Sequence, residues 1–219
     1  RKDLLKNMIN NYNTENMFLI NSSFTTLEND LDLILSCELK ENKFKKKLLV
    51  NGSNSKESIE NFENIYSIIW FIPEMERIFL GSPSLRRNFL DLLIQGIDKD
   101  HLTLLNNYKK MVLERNKILK QKYYDISWID QIENTIVEYG LKIYTRRIKH
   151  VEVLNSEIKY LHIINKNSHS FELLINDNFL TNKENNKFDL KSEYLLKLQD
   201  SRSYDAIVGG CNIGPHKSD

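Results

Sequence analysis

The chain has 219 residues, 41% of them hydrophobic, with a net charge of +1. That length allows one large domain or two small ones, and the apolar share supplies a core, which excludes a disordered chain. Near-neutral charge excludes a global attraction for nucleic acid, so any such claim must rest on local charge. Cys37 and Cys211 lie far apart without a pairing pattern and suit a reducing compartment, the cytoplasm. No apolar run reaches the ~18 residues of a membrane span, and no membrane partner is expected.

In chain order, residues 1–12 show a short apolar helical pattern (Leu4, Leu5, Met8, Ile9). Met17 to Thr25, Asp30 to Leu39 and Lys43 to Val50 read as strands. The second alternates Leu31, Leu33, Leu35 and Cys37 with Asp32 and Ser36. Asn51-Gly52 is a turn signal, and the continuous apolar run Tyr66 to Ile72 predicts a buried strand. From Pro73 to Lys166 the pattern is helical. Leu102, Leu105, Tyr108, Val112 and Leu119 recur at spacings near three and four. Past a break at Asp125–Ser127, a seam runs through Ile129, Ile132, Ile136, Tyr139, Ile143, Val151, Leu154, Ile158 and Leu161. A repeat near 3.5 residues predicts helices packed side by side, as a helical-hairpin core or as an intermolecular zipper. Phe171 to Ile175 reads as a strand, Thr181 to Asn186 as a polar loop and Leu190 to Leu198 as a helix, and Cys211 to Ile213 is expected to return to the sheet. The fold class is mixed α/β: a strand-rich segment 1–72, a helical lobe 73–205, and a return at 206–219.

Two stretches carry most of the functional signal. Ile72 to Asp91 reads IPEMERIFLGSPSLRRNFLD. Pro83 suits a first helical turn and Ser82 an N-cap, which opens a helix with apolar Leu85, Phe89, Leu90 and Leu93. Arg86 and Arg87 stand one turn in, where a positive charge gains nothing from the helix dipole. Their planar forks suit DNA phosphates, ATP phosphates, or Asp91 four or five residues on. Within residues 83–122 nine Lys/Arg face four Asp/Glu. Lys109, Lys110, Arg115, Lys117, Lys120 and Lys122, joined by Arg146, Arg147 and Lys149, make the most basic surface. Such charges neutralise phosphates, and they are also what the solvated face of an amphipathic helix carries. Five scattered histidines offer no metal-ligand cluster, so no metal is expected.

The first stretch resembles the PE-x-L-x-L-x-x-G-x-P-x-x-RR-x-FLD segment of the RecF family, bacterial DNA replication and repair proteins, through Pro73, Glu74, Gly81, Pro83, the arginine pair and Asp91. The last residues, Arg202-Ser-Tyr-Asp205 through Gly214-Pro215-His216-Lys217-Ser218-Asp219, resemble that family's R-x-x-D-x-x-x-G-x-T-x-x-GPHR-x-D stretch. Cys211 stands where Thr is usual and Lys217 where Arg is usual. The resemblance implies an ABC/SMC-type ATPase head, with ATP and Mg as cofactors and an ATP-dependent homodimer. It implies DNA at gaps or single-strand/double-strand junctions, RecO and RecR as partners in loading RecA, and a place in the SOS response. It puts Glu74 or Glu76 near the loop where such heads carry a Gln that reaches Mg and the attacking water. His216 and Asp219 would form a structural turn, or lie near the nucleotide or the dimer face. The sequence holds no G-x-x-x-x-G-K-(S/T) phosphate loop. The chain, which starts without Met and stops inside a motif, is therefore expected to be an internal fragment that retains no cofactor and is inactive alone as an ATPase. The alternative is a non-enzymatic SMC-like head remnant that docks DNA or a partner.

Overall fold

The computed structural model describes residues 9, 17–25, 30–40, 43–69, 73–165, 170–181 and 189–219. The chain divides into two units, residues 1–68 and 69–219.

The first unit is a three-stranded antiparallel sheet in the order β1 (Met17–Thr25), β2 (Asp30–Lys40), β3 (Lys43–Val50). The register explains the alternation seen in the sequence. Ile20 stands opposite Leu35, Leu35 opposite Leu48, and Phe18 opposite Cys37, so these side chains share one apolar face. The other face is mostly polar: Ser23 donates to Asp32 at 2.6 Å, and Glu38 stands opposite Lys45. β3 is an edge strand with four lysines, Lys43, Lys45, Lys46 and Lys47, and charge on an edge obstructs pairing with another chain. After the turn at Asn51-Gly52, Ser55 caps α1 (Lys56–Ile65) by accepting the Ser58 N–H at 3.1 Å. Its sequence signals are that cap and the apolar Ile59, Phe62 and Ile65 at helical spacing.

The second unit is helical. A 3₁₀ helix (Pro73–Leu80) leads to α2 (Pro83–Ile97), then α3 (His101–Leu119) and α4 (Ile126–Asn165). At the usual rise α4 is about 60 Å long. Asp91 binds both His101, at the start of α3, and Arg147, far along α4, whereas Arg115 near the end of α3 meets Glu133 near the start of α4. The two helices therefore run antiparallel as a hairpin. Leu104, Leu105, Tyr108 and Ile118 interdigitate with Ile129, Ile136, Val137 and Ile143. Tyr194 and Leu198 of α6 (Leu190–Asp200) and Phe179 of α5 (Asn178–Thr181) close this core. Tyr194 packs directly over Gly140, where a Cβ would lie 2.8 Å from its ring. The predicted seam lies in the hairpin core from Ile129 to Ile143; Val151, Leu154 and Ile158 are half-buried outside that core, and Leu161 is 53% exposed. Among the described residues no helix is long and apolar enough to cross a membrane.

Three strand expectations are corrected. Tyr66 to Ile69 is irregular, with Ile68 and Ile69 exposed, and the rest of that run lies outside the described residues. Phe171 to Ile175 is no strand, because what satisfies its backbone is not another strand. The Asn155 side chain of α4 accepts from the Leu173 N–H at 2.8 Å and donates to its carbonyl at 2.9 Å. Cys211 to Ile213 forms no strand either: Cys211 is buried in the helical core, and its carbonyl bonds His216 Nε2 at 2.8 Å. The pattern expected at 1–12 and most of the loop expected at 181–186 lie outside the described residues, as do the side chains of Pro73 and Glu74.

A second correction concerns Arg115. It belongs to no basic surface: its side chain is fully buried, with Nε on Glu133 at 2.8 Å, Nη1 on Asp205 at 2.7 Å and Nη2 on the Leu198 carbonyl at 2.7 Å. Burial works against its charge, but the bonds to Glu133 and Asp205 offset this and hold its pKa above the ordinary arginine value. Arg202, at the start of α7 (Arg202–Val208), grips Glu133 from the other side and reaches Asp130. Arg202 and Asp205, three residues apart in one motif, thus lock α7 onto the hairpin. Removing one member of a buried ion cluster leaves its partners uncompensated. Arg115→Met is expected to cost about 3–5 kcal/mol in urea unfolding, against less than about 0.5 kcal/mol for the exposed Lys117→Ala. Equal losses for the two would show that the cluster does not hold the fold.

Candidate functional site

The two motif stretches, with 110 residues between Asp91 and Arg202, meet in one cluster. The turn that joins them begins at Gly214. Its φ of 127° is open to glycine, and a Cβ there would lie 2.2 Å from the Tyr108 hydroxyl and 2.3 Å from that of Tyr194. The Lys217 N–H closes the turn on the Gly214 carbonyl at 2.8 Å. The remaining groups of residues 215–219 have no strand to pair with, and three arginines and a short backbone pairing satisfy them. Arg147 Nη1 donates to the Pro215 carbonyl at 2.5 Å and to Ser218 Oγ at 3.1 Å. Arg87 Nη1 donates to the Ser218 carbonyl. Arg86 grips the Asp219 carboxylate with Nε at 2.5 Å and Nη2 at 2.6 Å, and its Nη1 reaches the carbonyls of Phe79 and Gly81. The Asp219 backbone pairs with that of Asn176 in both directions, at 2.5 and 2.7 Å.

Ser82 and Pro83 set these arginines. Pro83 opens α2 as expected and Ser82 is its N-cap, but the Ser82 hydroxyl pairs with Ser84 Oγ at 2.8 Å and not with the helix backbone. The expected Arg87–Asp91 pair does not form. Both Asp91 oxygens face Arg147, at 2.9 and 2.8 Å, and Oδ1 also bonds His101 at 3.0 Å. Burial tends to raise the Asp91 pKa, but the bonds from His101 and Arg147 hold it below the ordinary carboxylate value. Arg86 likewise lowers Asp219.

The basic residues named from the sequence therefore separate into two kinds. Arg86, Arg115 and Arg147 are committed to internal carboxylates and carbonyls, and Arg146 is bound to Asp98 at 3.0 Å. Lys109, Lys110 and Lys117 are exposed along α3. Glu76 is exposed, and among the described residues no three His, Cys, Asp or Glu side chains gather to hold a metal. The cluster does not fit a Mg–nucleotide centre. Sequence reasoning missed Tyr108, Asn155, Asn176 and His101 as partners; only Asn155, polar beside the apolar seam, carried a readable signal.

His216 ties the turn to the core. Nδ1 lies 2.7 Å from the Tyr108 hydroxyl, and Nε2 faces the Cys211 carbonyl, so the neutral tautomer with hydrogen on Nε2 satisfies both. Tyr108 in turn is 3.3 Å from the Tyr194 hydroxyl. Burial, aided by the nearby Lys217, Arg87 and Arg147, pushes the His216 pKa below its ordinary 6.5, against the raising effect of the Cys211 carbonyl. A folded state that refuses a proton the unfolded state accepts is stable above the unfolded value and loses that stability as the pH falls below it. His150, lowered by burial and His101, acts in the same direction. Urea midpoints are expected to fall from pH 7 to 5.5, with a shallower slope in His216→Gln; an unchanged slope in that variant would clear His216 of the effect.

No family model matches the chain. It is 31% identical over 168 residues to the DNA replication and repair protein RecF of Rickettsia felis, covering 76% of this chain and 45% of that protein. It is 29% identical over 168 residues to RecF of Rickettsia bellii, covering 76% of this chain and 46% of that protein. The chain thus spans about half the length of the curated relatives it matches. Its fold is similar to that of the recombination mediator protein RecF-ATPrS of the RecFOR pathway, with a TM-score of 0.66 and 25% identity over 94% of this chain and 55% of that one. In sequence and in fold alike, this is a RecF-like chain.

Proposed function

We propose that the chain is part of a RecF-like protein of DNA replication and repair that binds ATP and DNA. The observation that carries this reading is the likeness, in sequence and in fold together, to RecF proteins along most of the chain. In the finer reading, ATP draws two copies together on gapped DNA in the cytoplasm, and RecO and RecR act with them to load RecA. The nucleotide and its Mg ion would be held by parts of the whole protein other than the described cluster. ATP there supplies the energy that closes and releases the dimer; the residues described here position and bind.

The chain's own contribution to DNA contact is the outer face of α3. Asn106, Lys110, Leu113, Lys117 and Lys120 recur at spacings of three and four and are all exposed, with Lys109 beside them. The opposite face, through Leu104, Leu105, Tyr108, Arg115 and Ile118, is spent on the core. The lysines of this face form no ion pair among the described residues and would follow a phosphate backbone without reading bases. The four lysines of β3 offer the same chemistry in the first unit, beside their role in edge protection.

Binding of a gapped duplex by the chain, measured at several salt concentrations, tests the reading. Lys110→Gln and Lys117→Gln, which break no internal bond, are each expected to weaken binding and reduce the salt slope by about one. Salt-independent binding, or binding unaffected by the double variant, would remove α3 from the interface.

A further inference from the structure

Of the three arginines in the cluster, Arg87 keeps the most free donors among the described residues. Arg86 and Arg147 each engage all three nitrogens. Arg87 makes one bond, from Nη1 to the Ser218 carbonyl, and among the described residues its Nε and Nη2 meet no acceptor. Nor does any carboxylate among the described residues bond it directly. Three guanidiniums face two carboxylates, and each carboxylate is gripped by a different arginine: Asp219 by Arg86, Asp91 by Arg147. Burial and the nearby Arg147 push the Arg87 pKa down, against the raising effect of Asp219 and Asp91, neither of which bonds it. A half-buried charge without a counter-charge is costly to keep, and a ligand anion would relieve it.

The surroundings of Arg87 favour one class of anion. Arg87 lines a groove with Ser84, Asn88, Lys109 and His216. Lys109 is exposed and forms no ion pair among the described residues, so it brings a second uncompensated charge. Asn88 and Ser84 add an amide and a hydroxyl. Asp91 also borders the groove, but both its oxygens are already taken. A guanidinium fork and an ammonium lining one groove beside an amide and a hydroxyl suit a tetrahedral oxyanion, whose oxygens point several ways, better than a planar carboxylate.

We infer that the groove between α2, α3 and the Gly214–Asp219 turn is a phosphate-binding site, with Arg87 and Lys109 as its two charged ligands. The inference deepens the DNA reading above and takes from it the source of the phosphate, a nucleic-acid strand or a nucleotide. Its chemistry rests on the free donors of Arg87. Arg87 is also the arginine whose loss removes only one internal bond.

The test follows the Arg87 Nε–H resonance by ¹H–¹⁵N NMR while the chain is titrated with inorganic pyrophosphate, gapped duplex, ATP or a polyglutamate peptide. Pyrophosphate is expected to shift that resonance, and Lys109→Gln, which breaks no internal bond, to weaken the titration roughly tenfold. Arg87→Gln, if folded, should abolish pyrophosphate binding at the groove; Lys109→Gln decides the matter even where the Arg87 variant fails to fold. A shift with duplex assigns the site to a strand, and a shift with ATP alone assigns it to a nucleotide. An unmoved resonance with every phosphate probe, equal titrations with and without Lys109, or a peptide that binds better than pyrophosphate would each overturn the inference. Should Lys110→Gln and Lys117→Gln lose DNA affinity while the Arg87 signal stays still, the groove fails and the DNA reading stands; the reverse result separates the two the other way.

Discussion

Three guanidiniums and two carboxylates hold the Gly214–Asp219 turn against α2 and α4, and the arrangement of the second unit depends on that clamp. The turn has no neighbouring strand, so its carbonyls need donors from side chains. Arginine suits this better than lysine, because a rigid fork can grip a carboxylate with two nitrogens and still reach a backbone carbonyl with the third. Arg147 does this between Asp91 and Pro215, and Arg86 between Asp219 and Gly81. The clamp also fixes the extended segment before α5, since Asp219 is the backbone partner of Asn176.

A second cluster fixes the far end of the hairpin. Arg115, Glu133, Asp205 and Arg202 are mutually bonded where α3, α4 and α7 meet. Buried ions contribute little net stability over an apolar replacement, but each is intolerant of losing its partner. Their effect here is to set register: the carboxylate of Glu133 has to stand beside Arg115, so α3 cannot slide along α4. Between the two clusters lies an apolar core in which Tyr108, Tyr194 and His216 form a polar seam against Gly214. The charge left over in this economy of ions is on Arg87. It faces outward into a groove, whereas its neighbours face inward.

The legible parts of the sequence were those governed by local rules. The alternation of Leu31, Leu33, Leu35 and Cys37 marked a one-sided strand, and the seam from Ile129 to Ile143 marked a helix buried along one side. The Pro83 start of α2 was visible for the same reason. What misled was apolar character without periodicity. Tyr66 to Ile69 and Phe171 to Ile175 have strand composition, but a strand exists only where another strand supplies its hydrogen bonds. In the second segment the Asn155 amide supplies them instead. α1 went unseen although Ser55 and the spacing of Ile59, Phe62 and Ile65 announce it; the helix is only ten residues long and sits between strand-like stretches.

Composition and spacing determined that the chain mixes a sheet with long helices and that Arg86-Arg87 stand one turn into a helix, and motif resemblance marked the Gly214-Pro215-His216 turn. Those properties are set by near neighbours in the chain: periodicity, capping, and the φ freedom of glycine. Which arginine answers which carboxylate was decided only by tertiary structure. Sequence spacing offered Asp91 to Arg87, four residues away, yet Arg147, 56 residues away, holds it with two bonds. Five like-looking arginines became three internal clamps, one surface pair and one cation with donors to spare. An ion's partner depends on distance in space and on what burial permits, and neither is written in the distance along the chain.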